Sequence, residues 1–389
     1  MFEKPLGMRD TLPELYETKA AVRNKMSDEI KKWGYQFIET PALEYYETIG
    51  EASAILDQQL FKLLDQQGHT LVLRPDMTTP IARVAASKLL NQRIPLRLAY
   101  SANVYRAQQR EGGRPAEFEQ MGIECIGNKS TSADAEMIAL MADVLKAAGL
   151  EKFKITIGHI GFVQELFLSI LGNEERAAVL RKFLYEKNYV GYREHVKSLT
   201  LSSIDKQRLI EFISLRGGEN TLTKALDLLE GEHGREQLSE LQELAVQLKE
   251  FGVDQYVSLD LTLVSHMSYY TGTLFEVYAG GVGSPIGNGG RYDNLLNKFG
   301  WDASATGFGI RMDRLVEAIG EIQEADVPEC ILFSPERRKE ALDFAKHKRA
   351  EGIMVTIQDI NAVENVDAYT RTFSDVHLFV GNGGRVSNE

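Results

Sequence analysis

The sequence contains little cysteine and no long hydrophobic run. Its 389 residues include two cysteines, Cys125 and Cys330, whose spacing gives no metal-binding or redox pair. The longest apolar stretches, such as residues 137–145, are too short to cross a bilayer. The N-terminal segment has no apolar run of the kind that forms a signal peptide. We therefore expect a cytoplasmic protein that makes no membrane contact.

Basic residues are fewer than acidic ones. Asp and Glu number 56 against 44 Lys and Arg, so the formal net charge is −12. This balance gives no general attraction to nucleic-acid phosphates, although a local basic groove on an acidic protein is compatible with it. Hydrophobic residues make up 43% of the chain, which suits a globular protein with two or three domains.

The order of predicted helices and strands indicates an α+β fold. An antiparallel sheet with flanking helices is expected over residues 1–325, interrupted by a helical insertion at about residues 162–250. Alternating strands and helices predict a small C-terminal α/β domain at residues 326–389.

Local signals predict where several elements begin and end. Thr11 starts a capping-box pattern, Thr78 or Thr79 is placed to cap a second helix, and Ser132 a third. Gly287, Gly289 and Gly290 resemble a phosphate-binding cluster, but such a cluster after a strand more often forms a hairpin turn.

The stretch LVSHMSYYTG, residues 263–272, carries the densest group of polar and aromatic side chains. It follows a strand in which Val257, Leu259, Leu261 and Leu263 alternate with mostly polar residues. His266 alone suggests a general base, but an ordinary loop or packing role is the simpler explanation. From its residues alone the stretch is compatible with a catalytic centre, a binding pocket or an ordinary loop.

Three separated stretches resemble the signature motifs of class II aminoacyl-tRNA synthetases. Residues 34–41, GYQFIETP, are similar to the first motif, a strand that ends in proline at the dimer interface. Residues 104–120, VYRAQQREGGRPAEFEQ, resemble the second motif, and residues 307–314, GFGIRMDR, the third. The resemblance implies the antiparallel class II sheet and a self-dimer formed through the first motif.

Within that class, the sequence is most similar to histidyl-tRNA synthetase, over roughly residues 3–320. The similar segments are KPLGMRDTLP (4–13), LRPDMT (73–78), YYTGTLFE (269–276) and GGRYDNLL (289–296). The resemblance implies that Asp76, Thr78 and Gln120 face the ammonium group of a bound histidine. It further implies that Glu124 and Tyr270, with Tyr269 beside them, face its imidazole.

The sequence departs from the synthetase where the activation chemistry takes place. The synthetase has an Arg-Gly-Leu-Asp-Tyr-Tyr run, whereas this chain has Ser265 in place of the Arg and Ser268 in place of the Asp. Arg106 is followed by Ala107 and Gln108, without the Glu that holds adenine. Joining a carboxylate to a triphosphate brings anions together and needs cationic stabilisation. Losing one charge-assisted hydrogen bond, about 1.5–3 kcal/mol, costs one or more powers of ten in rate.

These departures, with a C-terminal region shorter than the anticodon-binding domain, resemble the regulatory subunits of ATP phosphoribosyltransferase. The resemblance implies a subunit without catalytic residues or a cofactor that assembles with a short-form catalytic subunit for the first step of histidine biosynthesis. It also implies histidine as a feedback effector and no tRNA binding. Arg106 becomes the candidate for the histidine carboxylate, and Arg106 and Arg314 the remnant of a nucleotide site.

Each candidate residue has a structural alternative. Asp76 could cap the helix near Thr78, Glu124 could pair with a nearby base, and Arg314 could be a helix-terminal charge. Tyr269 and Tyr270 could be ordinary sheet residues. Two other functions also remain open, namely an active histidyl-tRNA synthetase with an altered site and a tRNA-sensing binding module. Histidine-dependent pyrophosphate exchange would identify the first, and tight, salt-dependent tRNA binding the second.

Overall fold

The computed structural model describes residues 3–50, 52–89, 94–107, 115–218, 220–229, 232, 234–265, 269–320 and 327–381. The chain folds as two compact units that divide between residues 321 and 322. Among the described residues, no helix has both the length and the apolar character that a membrane span requires.

A nine-stranded sheet is the centre of the first unit, with a smaller three-stranded sheet beside it. The larger sheet has the order β1-β5-β6-β12-β11-β10-β7-β9-β8, and the smaller one the order β2-β4-β3. The strands are β1 (Gln36–Phe37), β2 (Leu43–Tyr45), β3 (Lys62–Leu64), β4 (Thr70–Leu73), β5 (Leu96–Tyr105), β6 (Glu117–Ile126), β7 (Phe153–His159), β8 (Arg216–Gly217), β9 (Val257–Asp260), β10 (Thr273–Ala279), β11 (Gly287–Arg291) and β12 (Ala305–Arg311).

The middle of the large sheet is antiparallel, from β5 through β6, β12, β11 and β10 to β7. Parallel pairing occurs where β1 joins β5 and where β7 joins β9. The predicted antiparallel sheet is therefore present, with a parallel pair towards each edge.

Helices cover one face of the large sheet and make up most of the described part of the insertion. The helices of the first unit are α1 (Pro13–Lys32), α2 (Thr78–Val84), α3 (Thr131–Ala148), α4 (Ile160–Leu171), α5 (Glu174–Tyr185), α6 (Tyr189–Ser198), α7 (Ser203–Phe212), α8 (Asn220–Asp227), α9 (Arg235–Glu250) and α10 (Met312–Ile319). The described part of residues 160–250 is mainly helical, with the two-residue strand β8 within it, as the sequence predicts for the insertion.

The main core lies between the sheet and helices α1, α3 and α10. Met121 and Ile123 of β6 are fully buried there, together with Met26 of α1 and Met141 of α3. Because side chains alternate along a strand, the even-numbered residues of β6 point to the opposite face. That second face carries the candidate site.

The predicted capping residues are wrong at three helices. Helix α1 has Leu12 rather than Thr11 at its N-cap, because the residue before Pro13 is held in an extended conformation. Helix α3 begins after Ser130 rather than Ser132, since Asn128 Oδ1 accepts a hydrogen bond from the Ser130 amide at 3.0 Å. At α2 the capping hydrogen bond is made by Asp76, whose Oδ1 accepts from the Thr79 amide at 2.9 Å.

The glycine cluster at residues 287–290 forms a central strand, β11, and the predicted hairpin turn is wrong. Gly287, Gly289 and Gly290 are buried between β10 and β12. A Cβ on Gly289 would overlap the Phe275 ring and the Gly307 carbonyl. Close packing therefore explains the glycines, although their composition is that of a turn.

The second unit is a small α/β fold. Its parallel sheet has the order β14-β13-β15, and α11 packs against it through Ala341 and Ala345, which cluster with Ile331 and Phe333 of β13. The elements are β13 (Glu329–Phe333), α11 (Arg338–Ala350), β14 (Val355–Asp359), α12 (Val366–Thr370) and β15 (Val376–Phe379).

Candidate functional site

A cavity of about 660 Å³ lies on the sheet face opposite the core helices. All the candidate residues from the sequence line it, and they come from four separate parts of the chain. They are Asp76, Thr78, Arg106, Gln120, Glu124, Tyr269, Tyr270 and Arg314. The fold therefore brings together side chains that are up to 238 positions apart, from Asp76 to Arg314.

Glycines make the floor of the cavity. Glu124 of β6 pairs with Gly307 of β12, which pairs in turn with Gly290 of β11. A Cβ on Gly307 would overlap the Glu124 carboxylate, and one on Gly309 would overlap the Gln120 amide. The absent side chains leave the space in which the Glu124 and Gln120 side chains lie.

Glu124 is the most buried acid of the site, with 2% of its surface exposed. Thr78 Oγ1 donates a hydrogen bond to Oε1 at 2.8 Å, and Tyr292 Oη donates to Oε2 at 2.5 Å. Burial raises the pKa of Glu124 to about 8, although the two hydrogen bonds partly oppose this shift. At neutral pH the carboxyl group is therefore largely protonated, and a bound cation would favour its ionised form.

Tyrosine rings form the wall beside Glu124. The Tyr269 ring centroid lies 4.9 Å from that of Tyr270 and 5.6 Å from that of Tyr292, in edge-to-face contacts. Burial raises the pKa of both Tyr269 and Tyr270, so their hydroxyls remain protonated and able to donate. Asn288 Nδ2 donates to Tyr270 Oη at 3.4 Å.

Asp76 caps helix α2, which is the structural alternative considered from the sequence, and it also lines the cavity. It is 3% exposed, and Oδ1 caps helix α2 while Oδ2 accepts a hydrogen bond from Ser53 Oγ at 2.6 Å. The same carboxylate lines the cavity. The helix cap fixes the orientation of the carboxylate that the cavity presents.

Gln120 lies four residues before Glu124 on β6 and lines the same cavity, in agreement with its spacing. Its Oε1 atom is buried and has no hydrogen-bond partner among the described residues. A buried carbonyl oxygen without a donor is costly, so this atom is suited to accept a hydrogen bond from a ligand.

Arg106 and Arg314 place guanidinium groups on the wall of the cavity. Arg106 Nε donates to the Pro75 carbonyl at 3.0 Å, and an Arg314 terminal nitrogen donates to the Pro285 carbonyl at 2.5 Å. Burial lowers the pKa of Arg106, with the neighbouring Arg311 charge acting in the same direction. Arginine remains charged in proteins despite such shifts, so both residues supply positive charge.

The stretch at residues 263–272 is only partly described. Val264 and Ser265 line the cavity, as do Tyr269 and Tyr270. His266, Met267 and Ser268, with the predicted alternatives for His266, lie outside the described residues, and so does Gln108.

The sequence did not single out Tyr292, Glu276 or Arg311, which also line the cavity. Register explains two of them, since Arg311 pairs with Gln120 and Glu276 pairs with Asn288. Tyr292 lies within GGRYDNLL, a segment similar to the synthetase, but nothing in the sequence assigns a role to this tyrosine. Strand pairing identifies Arg311 and Glu276 as neighbours of the candidate site, and the hydrogen bond to Glu124 identifies Tyr292.

Comparison with known proteins supports two family assignments along the chain. The family described as "Histidyl-tRNA synthetase" matches residues 7–315. The family described as "Histidyl-tRNA synthetase HisZ, C-terminal domain" matches residues 330–381.

The solved structures separate likeness of fold from closer relationship. Histidyl-tRNA synthetase from Nostoc sp. PCC 7120 is 21% identical with a TM-score of 0.79, covering 95% of this chain and 88% of the other, which shows a common fold. A crystal structure described as an ATP phosphoribosyltransferase regulatory subunit/histidyl-tRNA synthetase from Bacillus halodurans is 57% identical with a TM-score of 0.92. It covers 98% of this chain and 99% of that one.

A curated relative extends this similarity over the whole sequence. The ATP phosphoribosyltransferase regulatory subunit of Geobacillus kaustophilus (strain HTA426) is 63% identical over 385 residues, which are 99% of this chain and 98% of the relative. These relatives are named regulatory subunits, and the synthetase shares their fold at much lower identity. The chain therefore belongs to the family of ATP phosphoribosyltransferase regulatory subunits.

Proposed function

We propose that the chain is the non-catalytic regulatory subunit of a hetero-oligomeric ATP phosphoribosyltransferase and that it binds histidine in the cavity above Glu124. The observation that carries the binding proposal is the set of complementary polar groups around one cavity. Glu124 contributes a buried carboxyl group, Gln120 a buried amide oxygen and Arg106 a guanidinium group.

Histidine has three polar parts, and each has a counterpart in the cavity. Its imidazole can bond to Glu124 and to the Tyr270 hydroxyl, with Tyr269 packing beside the ring. Its ammonium can donate to Asp76, to the Thr78 hydroxyl and to the unpartnered Oε1 of Gln120. Its carboxylate can accept from Arg106 in a charge-assisted hydrogen bond.

Thr78, Glu124 and Asp76 already form hydrogen bonds within the protein, so a bound histidine would have to share these groups. In the structure Thr78 Oγ1 donates to Glu124, and Asp76 already accepts from Ser53 and the Thr79 amide. A carboxylate has about four lone-pair sites, so Asp76 retains capacity for an ammonium group. The existing bonds hold the acceptors in place and reduce the ordering cost of binding.

The absence of catalysis follows from Ser265 in place of an arginine. Adenylate formation would need cationic groups around the carboxylate and the triphosphate, and a serine hydroxyl carries no charge. Arg106 and Arg314 remain, and we interpret them as what is left of a nucleotide site. This interpretation explains how a synthetase-like cavity can bind an amino acid without activating it.

The partner in this proposal is the short-form catalytic subunit of ATP phosphoribosyltransferase. Histidine would regulate the complex by binding with different affinity to its active and inactive arrangements. Such coupling is typically about 1–3 kcal/mol, or roughly 5–150-fold in affinity.

An exposed apolar surface on the small sheet, whose first strand directly follows the first-motif segment, supports self-association. Tyr45 and Leu63 lie opposite Leu71 in the small sheet, and Leu43 lies opposite Leu73 on the same face. Leu43, Tyr45 and Leu63 are 46%, 52% and 44% exposed, whereas Val72 on the other face is fully buried. Contiguous exposed apolar side chains favour an interface, and we propose a second copy of this chain as its occupant.

Calorimetry of histidine against the chain, alone and with the short-form catalytic subunit, tests the binding proposal. We expect Glu124→Ala to weaken histidine binding at least tenfold. Glu117→Ala is the matched control, because Glu117 lies on the same strand, accepts from Asn103 at 2.7 Å and is absent from the cavity lining. Equal affinity of the wild type and Glu124→Ala would remove the cavity assignment. Pyrophosphate exchange in the presence of histidine and ATP would instead favour an active synthetase.

A further inference from the structure

The cavity extends well beyond the region around Glu124. Histidine is much smaller than the ligands usually bound in cavities of roughly 300–1,000 Å³, and this cavity measures about 660 Å³. Gln120 lies four residues from Glu124 on β6, about 13 Å along the strand, and Arg311 lies directly opposite Gln120 on β12. We call the part lined by Arg106, Phe118, Arg311 and Arg314 the outer lobe.

Phe118 and Arg311 are stacked in the outer lobe. The central carbon of the Arg311 guanidinium lies 3.7 Å from the centroid of the Phe118 ring. Phe118 precedes Gln120 by two residues, so its side chain leaves β6 on the cavity face, where Arg311 of the neighbouring strand also points. The Arg106 guanidinium lies 5.4 Å from the same ring.

Asp313 holds Arg311 in this position. Arg311 Nε donates to Asp313 Oδ1 at 3.2 Å, and a terminal nitrogen donates to Oδ2 at 2.8 Å. Although burial favours the neutral acid, the hydrogen bond and the charge of Arg311 lower the pKa of Asp313. The planar guanidinium is therefore fixed at both its edge and its face, a geometry that lysine cannot reproduce.

An aromatic ring among several guanidinium groups has the composition of a site for a nucleobase joined to phosphates. Bases bind to such sites by stacking on a ring face, and the guanidinium groups hold the phosphates. Here the distance of 3.7 Å between Arg311 and Phe118 is itself a stacking distance. On this face of the ring, a base would have to displace the protein's own cation.

We propose that Arg311 is a specificity-determining residue that keeps purine bases out of the outer lobe by occupying the face of Phe118. The proposal deepens the non-catalytic function proposed above and rests on it. It explains the weak nucleotide binding that we expect by a residue that is present, in addition to the charge missing at Ser265. Arg311 still offers positive charge to a small anion, so the outer lobe discriminates against the base and not against phosphate.

Binding of two probes to matched variants tests this role. The probes are ATP and inorganic triphosphate, which differ in the nucleoside, and the variant is Arg311→Ala. We expect Arg311→Ala to bind ATP at least tenfold more tightly than the wild type, because the ring face becomes available. We expect the same variant to bind triphosphate more weakly, because one cation is lost. A general change in charge or stability would move both affinities in the same direction.

Further variants separate stacking from other causes. Adding Phe118→Ala to Arg311→Ala should abolish the gain for ATP, since the ring itself is removed. Asp313→Asn, which weakens the bonds that hold Arg311, should give a smaller gain and provides a milder variant if Arg311→Ala folds poorly. Arg349→Ala is the control for loss of an arginine, because Arg349 is in the second unit and donates to the Val355 carbonyl.

Two outcomes would overturn the proposal. One is tight ATP binding by the wild-type chain, and the other is no gain for ATP in both Arg311→Ala and Asp313→Asn. Histidine titration of the same variants distinguishes this failure from failure of the proposed function. No gain for ATP with retained histidine binding would overturn only the role of Arg311, whereas absence of histidine binding in every variant would overturn the cavity assignment.

Discussion

The Glu124 carboxyl is almost fully buried, yet both hydrogen bonds that it receives come from uncharged hydroxyl groups. Burial penalises the ionised form, and neither Thr78 nor Tyr292 supplies a positive charge to offset this penalty. The result is a carboxyl group with a pKa of about 8, against an ordinary value of 4.5. Such a perturbed acid in a cavity is a physical indication of a ligand site.

The stability of the ligand-free chain should therefore depend on the protonation of Glu124. The pKa of Glu124 is higher in the folded chain than in the unfolded chain. Glu124 therefore contributes stability that is fully present below about pH 4.5 and is lost as the pH rises towards about 8. We expect the stability of the wild type relative to Glu124→Gln to fall by on the order of 1 kcal/mol per pH unit within this window. Urea unfolding of both proteins at several pH values measures the difference, and parallel pH profiles would contradict it.

Gly307 is the residue whose lack of a side chain has the clearest consequence for the site. Gly307→Ala should displace the Glu124 carboxylate, since the new Cβ would overlap Oε2 and the Ile123 carbonyl. We expect a stability loss of about 1–3 kcal/mol and histidine binding weakened at least tenfold. Gly283→Ala is the matched control, because a Cβ added there would meet no atom within 4 Å and the φ of Gly283 is not positive. Thermal unfolding and calorimetry measure both effects, which should be absent in the control.

Strand β11 is the element that connects the floor of the cavity to the helical core. Arg291 at its end is 7% exposed and donates to Asp134 Oδ2 at 2.9 Å and to the carbonyls of Asn128 and Ser130. These bonds join the strand to the start of helix α3. This buried ion pair therefore adds to the strand pairing that holds β11 in place.

Removing one member of this ion pair should destabilise the whole first unit. Arg291→Met leaves the Asp134 carboxylate buried without its cation, which typically costs about 3–5 kcal/mol. Adding Asp134→Asn should recover part of this loss, because the remaining group is neutral. Urea midpoints of the single and double variants provide the comparison. A double variant less stable than Arg291→Met would show that the ion pair is not the cause.

At the scale of the whole molecule, the exposed apolar face of the small sheet predicts the oligomeric state. We expect the double variant Tyr45→Glu/Leu63→Glu to shift the chain from dimer to monomer in sedimentation velocity experiments, since each carboxylate would be buried in the interface. Ile204→Glu is the control, because Ile204 is 65% exposed on helix α7 in the insertion. A wild-type chain that remains monomeric at micromolar concentration would contradict the proposed dimer.

The sequence was sufficient to predict the family, and the relatives confirm that prediction. It also predicted that Gln120 and Glu124 share one face, because alternation along a strand is a local property. It was wrong about Gly287, Gly289 and Gly290, which lie in a strand. A glycine can be required for its conformational freedom or for its lack of a side chain. Only the neighbouring strands show which of the two applies here.

The sequence by itself therefore determined the features that depend on short spacing and on the identity of single residues. It determined the strand faces of β6, the helical character of the insertion and the loss of a charge at Ser265. The tertiary structure alone decided that Tyr292 bonds to Glu124 and that Arg311 covers Phe118. Both contacts join residues far apart in the chain, 168 positions in the first case. Such contacts are set by strand order and register, which arise from the packing of the whole sheet and from no single segment.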